Sequence, residues 1–326
     1  MNKISVSAVL VTYGDRISYL EKVITKLEFI PEIENIIVVD NNSSSFDKIA
    51  GNFKKLKWIR LNKNTGSSNG YKVGIKEAFF NTNCNFIWLL DDDNLPDDDA
   101  LNILIKKYYE KKMIDNNEMI AVQSRRPNYS GQQIHYIDNS QLNYNDFLGF
   151  SIRNIIKKIK NYKSLTNTIC NCEIKVDYTQ YGGILLSRRI IEIIGFPNGI
   201  FFLYSDDAEY TYRITNSGGI IYIVNDSIVK DIDFSWNNTS NKKNLLPILT
   251  DGNEFRVYYS VRNQIYFQKN FLVNNNIIFF LNGISYFSIL FILSLVFFKL
   301  NRFKTIFNAF KDGLLGKMGE NNKYGI

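Results

Sequence analysis

The stretch Phe86-Ile87-Trp88-Leu89-Leu90-Asp91-Asp92-Asp93-Asn94-Leu95-Pro96 constrains this chain more than any other. Apolar residues of strand type run directly into three consecutive carboxylates, and Pro96 ends the segment. An apolar run this short, bounded by a breaker, reads as a buried strand. Three aspartates cannot follow it into a core, because an unpaired buried charge is too costly. They stand where the strand leaves its sheet, which in open α/β sheets is where ligands bind. Hard carboxylate oxygens suit Mn2+ or Mg2+, which bind through one or two carboxylates completed by substrate phosphates. The alternative is a solvated acidic turn opening a helix, since Asp97, Asp98 and Asp99 follow and helical spacing begins at Ala100-Leu101.

The residues before this stretch repeat its logic. Ile4 to Tyr13 predicts a central strand, broken by Gly14-Asp15, and Ile17 to Phe29 has helical spacing. Ile33 to Val39 predicts a strand ending in Asp40-Asn41-Asn42, and Leu56 to Leu61 another. Asn62 to Gly70 reads as a polar loop, Tyr71 to Phe80 as a helix. Strands alternating with helices on short connections imply an α/β fold, a mostly parallel Rossmann-like sheet. The polar tips Thr12-Tyr13, Asp40 and Asp91 to Asp93 then share one sheet edge. Asp40 can accept from a nucleobase imide, and the backbone of Asn64 to Gly70, including Gly66, can offer N–H groups to phosphate. No glycine-rich dinucleotide fingerprint or P-loop is present, which argues against oxidoreductases and P-loop NTPases.

Composition narrows the chemistry. The formal charge of +7 suits anionic partners without choosing among them. Its basic residues form no aromatic-rich platform, so nucleic acid is not an expected partner. Cys84, Cys170 and Cys172 are too few for a disulfide framework or zinc site. The single histidine, His135, leaves carboxylates as the expected general bases. Met1-Asn2-Lys3 leads straight into a strand, so no signal peptide is expected and the cytoplasm follows. Arg125-Arg126 reads as a solvated loop, with a diphosphate contact as the alternative. In Ser205 to Arg213, Asp206 and Asp207 stand at a helix N-terminus, with Glu209 and Arg213 spaced to pair.

VTYGDR, IIVVDNNSSS, NTGSSNGYKVGI and WLLDDDNLPDDDAL, in that order, resemble the nucleotide-binding half of glycosyltransferase family 2, with the GT-A fold. The resemblance continues through Tyr181-Gly182-Gly183 to Arg213 and is strongest to the galactofuranosyl- and rhamnosyltransferase branch. It implies an inverting, metal-dependent transfer of one sugar from a nucleotide diphosphate donor, UDP-galactofuranose first, with UDP-galactose or dTDP-rhamnose as alternatives. The implied acceptor is a lipid-linked saccharide of O-antigen or capsule assembly. Thr12, Tyr13, Asp40, Gly66, Asn69 and Asp92 would hold the nucleotide. Asp91 and Asp93 would hold Mn2+ or Mg2+. Relatives place a histidine where this chain has Asp231, with Asp233 nearby, so Asp231 becomes the expected third ligand. Asp207 would be the base, and Tyr181, Gly182, Gly183, Asp206, Glu209 and Arg213 would meet donor or acceptor sugar. The insert 131–172, with a short helix over Ile152 to Ile159, would lie near the acceptor. A non-catalytic nucleotide-sugar-binding scaffold is the competing reading.

The last third changes character. Ile277 to Phe298 is apolar and long enough to span a bilayer, and Lys299, Arg302, Lys304, Lys311 and Lys317 follow on an amphipathic pattern. That reads as monotopic attachment to an anionic inner leaflet, with a single span or a homo-oligomer interface as alternatives. The expected division is 1–115 for nucleotide sugar, 116–240 for acceptor and base, and 241–326 for membrane-associated helices.

Overall fold

The computed structural model describes residues 4–43, 53–127, 144–153, 174–233 and 247–325. His135 and most of the 131–172 insert, including residues 154–159 of the helix expected over Ile152 to Ile159, lie outside them. The chain divides into two units, one comprising Met1–Ser140, Cys172–Phe202 and Asp206–Asn237, the other Gln141–Asn171, Leu203–Ser205 and Asn238–Ile326. Residues 1–115 and most of 116–240 therefore share one unit.

In the first unit, β1 (Val6–Thr12), α1 (Ile17–Glu28), β2 (Ile33–Asp40), β3 (Leu56–Arg60), α2 (Gly66–Asn81) and β4 (Phe86–Asp91) follow the expected alternation. They continue into β5 (Asn94–Pro96), α3 (Ala100–Asp115), β6 (Ile120–Arg125), β7 (Ile174–Val176), β8 (Ile184–Ser187) and α4 (Arg188–Ile194). α5 (Asp206–Asn216) and β9 (Ile220–Asp231) complete it. The strand order is β3-β2-β1-β4-β8-β6-β9-β5, with β7 on β9. β3, β2, β1 and β4 pair in parallel, and β8 joins β4 antiparallel.

Strand alternation fills two core layers. Val6, Ala8 and Leu10 pack with Phe86, Trp88 and Leu90 under α1 and α3, through Leu20, Ile24, Leu101 and Leu104. Val9, Ile87 and Leu89 face the other way, onto Tyr71 and Ile75 of α2 and Tyr210 and Ile214 of α5. Strands buried on both faces read as continuous apolar runs, which is why the sequence reveals them.

One element differs from expectation. Gly66 to Gly70 begin α2 instead of forming a loop. Their polar side chains are used tertiarily, with Ser68 Oγ donating to Asn198 O at 2.6 Å and Ser67 Oγ to Asp206 at 3.4 Å, while the backbone is helical. β9 runs as one strand through Ser227. Ser227 is buried yet satisfied, sharing a 2.8 Å hydrogen bond with Ser124 Oγ and donating to Ala100 O at 2.9 Å.

The second unit is helical, with α6 (Glu254–Phe267), α7 (Asn276–Val296) and α8 (Leu300–Leu314). Asn253 caps α6 by accepting from the Arg256 amide. Arg262 is fully buried, its guanidinium 4.6 Å from the Tyr259 ring centroid and Nη1 donating to Gly319 O at 2.7 Å. One face of α7 packs inward through Phe279, Gly283, Phe287 and Leu290, with Phe287 against Phe147, Phe307 and Phe310. The other face exposes Ile277, Leu281, Ile284, Ile292 and Leu295, and Phe298 beyond the helix is 93% exposed. By length and composition α7 could cross a membrane.

Trp88 is fully buried in the middle of the sheet. Trp88→Ala should destabilise the first unit by about 3–5 kcal/mol in denaturant unfolding, through lost burial and the cavity left behind.

Candidate active site

The chain leaves β1 for β2 and β3 on one side and returns through α2 to β4 on the other, so β1 and β4 flank a switch point. Thr12 closes β1 and Asp91 closes β4. Thr12 Oγ1 donates to Asp92 Oδ2 at 2.7 Å across this crevice. Arg16, in the turn after β1, gives Nε to both Asp92 oxygens at 2.8 and 2.9 Å. Its Nη2 reaches Asp93 Oδ2 at 3.0 Å and its Nη1 reaches Asp233 Oδ2 at 2.6 Å. Burial outweighs these contacts and pushes Asp92 up to about 6. Burial, with the charges of Asp91 and Asp92, pushes Asp93 up to about 7.

Asp91 faces differently. Its Oδ1 accepts from Tyr71 Oη at 2.8 Å and its Oδ2 from Arg126 Nη1 at 3.2 Å. Arg126 also donates to Asp231 Oδ1, from Nη2 at 2.6 Å and Nε at 3.1 Å, and Asn94 Nδ2 adds 2.8 Å to the same oxygen. Burial opposes the Arg126 charge, but Asp91 and Asp231 outweigh it and hold the guanidinium above its ordinary value. Arg126 is thus part of the site and not the solvated loop residue expected. Nothing in its local sequence signals this, since its partners lie on distant strand ends.

Gly182 explains how the backbone stands against this cluster. A Cβ there would lie 2.2 Å from Asn94 Oδ1, 2.4 Å from Arg126 Nη1 and 2.8 Å from Asp91 Oδ2. The Gly183 amide donates to Leu89 O at 2.7 Å and ties the turn to β4. Tyr181 is buried with its ring centroid 4.1 Å from that of Tyr71, and its hydroxyl makes no hydrogen bond.

α5 brings the second acidic group. Asp206 and Asp207 stand at its N-terminus, where negative charge is favoured. Asp207 Oδ1 accepts from the Ala208 amide at 2.7 Å. Burial raises both carboxyls, Asp207 to about 6, and the Asp207 charge raises Asp206 well beyond the carboxylate range. Burial and these two charges also raise the Tyr181 hydroxyl. Glu209 and Arg213, expected near sugar, are engaged with each other at 2.7 and 2.8 Å, and Arg213 Nη1 donates to Ile194 O and Phe196 O.

At the end of β2, Asp40 Oδ1 accepts from the Ser43 amide at 2.7 Å. Its Oδ2 is buried, accepts no hydrogen bond and lies 3.8 Å from Arg60 Nε. Gly66 has φ +81°, and a Cβ there would meet Phe202 O at 1.9 Å. Asn69 Nδ2 donates to Thr65 Oγ1 at 3.0 Å, while Tyr13 is 41% exposed.

Among the described residues, no three His, Cys, Asp or Glu side chains are gathered in an arrangement ready to hold a metal ion. The chemistry of the donor set nevertheless suits a hard divalent cation, which needs only one or two carboxylates when phosphate completes the shell. Asp91, Asp92, Asp93, Asp231 and Asp233 outnumber Arg16 and Arg126, and burial first, then the neighbouring aspartate charges, raises Asp93.

A sheet of this order with carboxylates at its switch point defines a GT-A protein. The chain belongs to the family "Glycosyl transferase family 2", whose model matches residues 7–175. It is 25% identical over 166 residues to galactofuranosyltransferase GlfT2 of Mycobacterium tuberculosis (strain ATCC 25618 / H37Rv), covering 48% of this chain. The chain spans only about a quarter (24%) of that relative. In fold it is similar to S. aureus TarS 1-349 in complex with UDP-GlcNAc, with TM-score 0.53 and 14% identity over 95% of this chain and 80% of that one. GalNAc-T7 with UDP, GalNAc and Mn2+ gives TM-score 0.50 and 15% identity over 71% of this chain and 44% of that one. Likenesses at such identities speak for the fold alone.

The raised carboxyls of α5 give a signed prediction. Between the ordinary carboxyl value and the raised one, the folded chain binds more protons than the unfolded chain, so this pair lowers stability as pH rises. Asp206→Asn should therefore melt progressively higher than wild type as pH goes from about 5 to about 7, read by thermal unfolding at each pH.

Proposed function

We propose that this chain transfers a single sugar, with inversion, from a nucleoside diphosphate donor to an acceptor hydroxyl. The observation that carries the reading is the linking of two acidic groups through a pair of packed tyrosines. Asp91 is held by Tyr71, the Tyr71 ring packs against Tyr181 at 4.1 Å with an interplanar angle of 36°, and Tyr181 lies in the field of Asp206 and Asp207. Inverting transfer needs a leaving diphosphate on one side of the anomeric carbon and a base on the other.

In this reading the buried, unsatisfied Asp40 Oδ2 accepts from a nucleobase N–H, as the imide of uracil would provide. The amides at the start of α2 are engaged within the protein, Gly66 with Asn64 Oδ1 at 3.0 Å and Ser68 with Phe202 O at 3.3 Å, so in this reading α2 favours phosphate through its dipole. Asp91 and Asp93, with Asp231, are the residues that would hold a divalent cation. Such an ion, when bound, neutralises charge on the departing diphosphate. Asp207 removes the proton from the attacking hydroxyl, and its raised value makes it a better acceptor near neutral pH. Asp206 and the Tyr181 hydroxyl orient the acceptor beside it. Thr12 and Asp92 brace the crevice through Arg16, so their contribution to the nucleotide is indirect.

UDP-galactofuranose is the first donor to test, because the Mycobacterium tuberculosis relative is named a galactofuranosyltransferase; UDP-galactose and dTDP-rhamnose come next. A lipid-linked saccharide is the proposed acceptor. The exposed apolar face of α7, followed by exposed Lys299 and Lys304, would seat the second unit on an anionic membrane at its cytoplasmic face.

Three outcomes test this. UDP with Mn2+ should raise the melting temperature of the wild-type protein, and absence of any nucleotide-dependent shift would count against the donor site. Asp207→Asn should lower kcat by about 10²–10⁴-fold while leaving UDP-induced stabilisation intact. Wild-type kcat/KM should rise with pH and level off above about 6 as the base ionises. For the membrane, co-sedimentation with phosphatidylglycerol vesicles should exceed that with phosphatidylcholine. Lys299→Glu with Lys304→Glu should weaken it by at least about 1 kcal/mol per basic residue.

A further inference from the structure

The candidate donor site already contains a cation of its own. The Arg126 side chain is 11% exposed. Nη1 binds Asp91 Oδ2 at 3.2 Å and Gln180 Oε1 at 2.9 Å, while Nη2 and Nε converge on Asp231 Oδ1. Asp91 and Asp231 are two of the three carboxylates assigned to a divalent cation. A divalent ion placed on those carboxylates would stand beside the guanidinium, where like charges repel, since an ion such as Mn2+ or Mg2+ sits only about 2.1 Å from its ligands. The backbone at Gly182 limits where the guanidinium can retreat, since a Cβ there would already lie 2.4 Å from Nη1. The guanidinium fork also has the planar geometry that grips phosphate oxygens in pairs.

We propose that Arg126 makes divalent-cation binding conditional on the nucleoside diphosphate. Without nucleotide, its guanidinium clamps Asp91 to Asp231. When the diphosphate arrives, the guanidinium turns onto phosphate oxygens and releases both carboxylates to the ion. The exchange keeps charge matched throughout: the carboxylates trade a guanidinium for the metal, and the diphosphate gains the guanidinium. Coupling of this kind is reciprocal, so nucleotide strengthens metal binding by the same factor that metal strengthens nucleotide binding. The inference rests on the nucleotide-sugar reading above.

The test is titration of Mn2+ alone into the full chain, with and without saturating UDP, following free Mn2+ by electron paramagnetic resonance. Wild type, Arg126→Gln and Arg126→Lys are compared, and UDP affinity is measured by calorimetry. Wild type should bind Mn2+ at least about tenfold more tightly with UDP than without. Arg126→Gln should bind Mn2+ alone at least about tenfold more tightly than wild type, bind UDP more weakly, and lose most of the enhancement. Arg126→Lys keeps the charge without the fork, should shift the same way, and decides the matter if Arg126→Gln does not melt cooperatively. Unchanged Mn2+ affinity without UDP, or undiminished UDP affinity, in a variant with wild-type melting overturns the role of Arg126. Failure of wild type to bind UDP at all, with or without Mn2+, overturns the nucleotide-sugar reading and this inference with it.

Discussion

Five carboxylates crowd the ends of β4 and β9, and two guanidinium groups make that crowding tolerable. Arg16 holds Asp92, Asp93 and Asp233, while Arg126 holds Asp91 and Asp231. Unpaired buried charge is too costly to keep, and breaking one member of a buried pair strands the other. Neutralisation is incomplete, which leaves a site with a standing affinity for positive charge. β1, β4, β6 and β9 each bring an acid or an arginine to this one edge, at their ends or just beyond.

The sheet achieves this by placing β4 between two differently directed halves. On one side β4 pairs in parallel with β1, whose end carries Thr12 and then Arg16; on the other it pairs antiparallel with β8, which follows the Gly182-Gly183 turn. Two apolar layers, one under α1 and α3 and one under α2 and α5, hold the strand in register. The second layer includes Tyr71, Tyr181 and Tyr210, so the core grades directly into the site.

The central fold was legible because strands buried on both faces are written as unbroken apolar runs ending in polar tips. The acid tip at Asp91 to Asp93 was legible for the same reason. Arg16, Arg126 and Tyr71 were not. Their roles come from partners distant in the chain, and an arginine beside a proline has the same local signature in a loop as in an ion cluster. Short strands such as β5, β7 and β8 carry too few residues for a period to register. The start of α2 was hidden because Ser67, Ser68 and Asn69 look like loop residues until their side chains are seen bonding to other groups. Glu209 and Arg213 show the reverse case: the spacing for a simple helix pair was visible, and that pair is what forms.

The alternation at the end of β4 carries a consequence for how such a chain can change over time. Asp91 points to Tyr71 and Arg126, whereas Asp92 points to Thr12 and Arg16. Because successive side chains of a strand face opposite ways, deleting one residue anywhere in Phe86 to Leu90 would exchange these environments and turn the apolar residues of both layers inside out. Size-conserving apolar substitutions can therefore be accommodated in this strand, but insertions and deletions cannot. Length variation among descendants of this chain is confined to the connections, whose reach can change without disturbing the acid cluster.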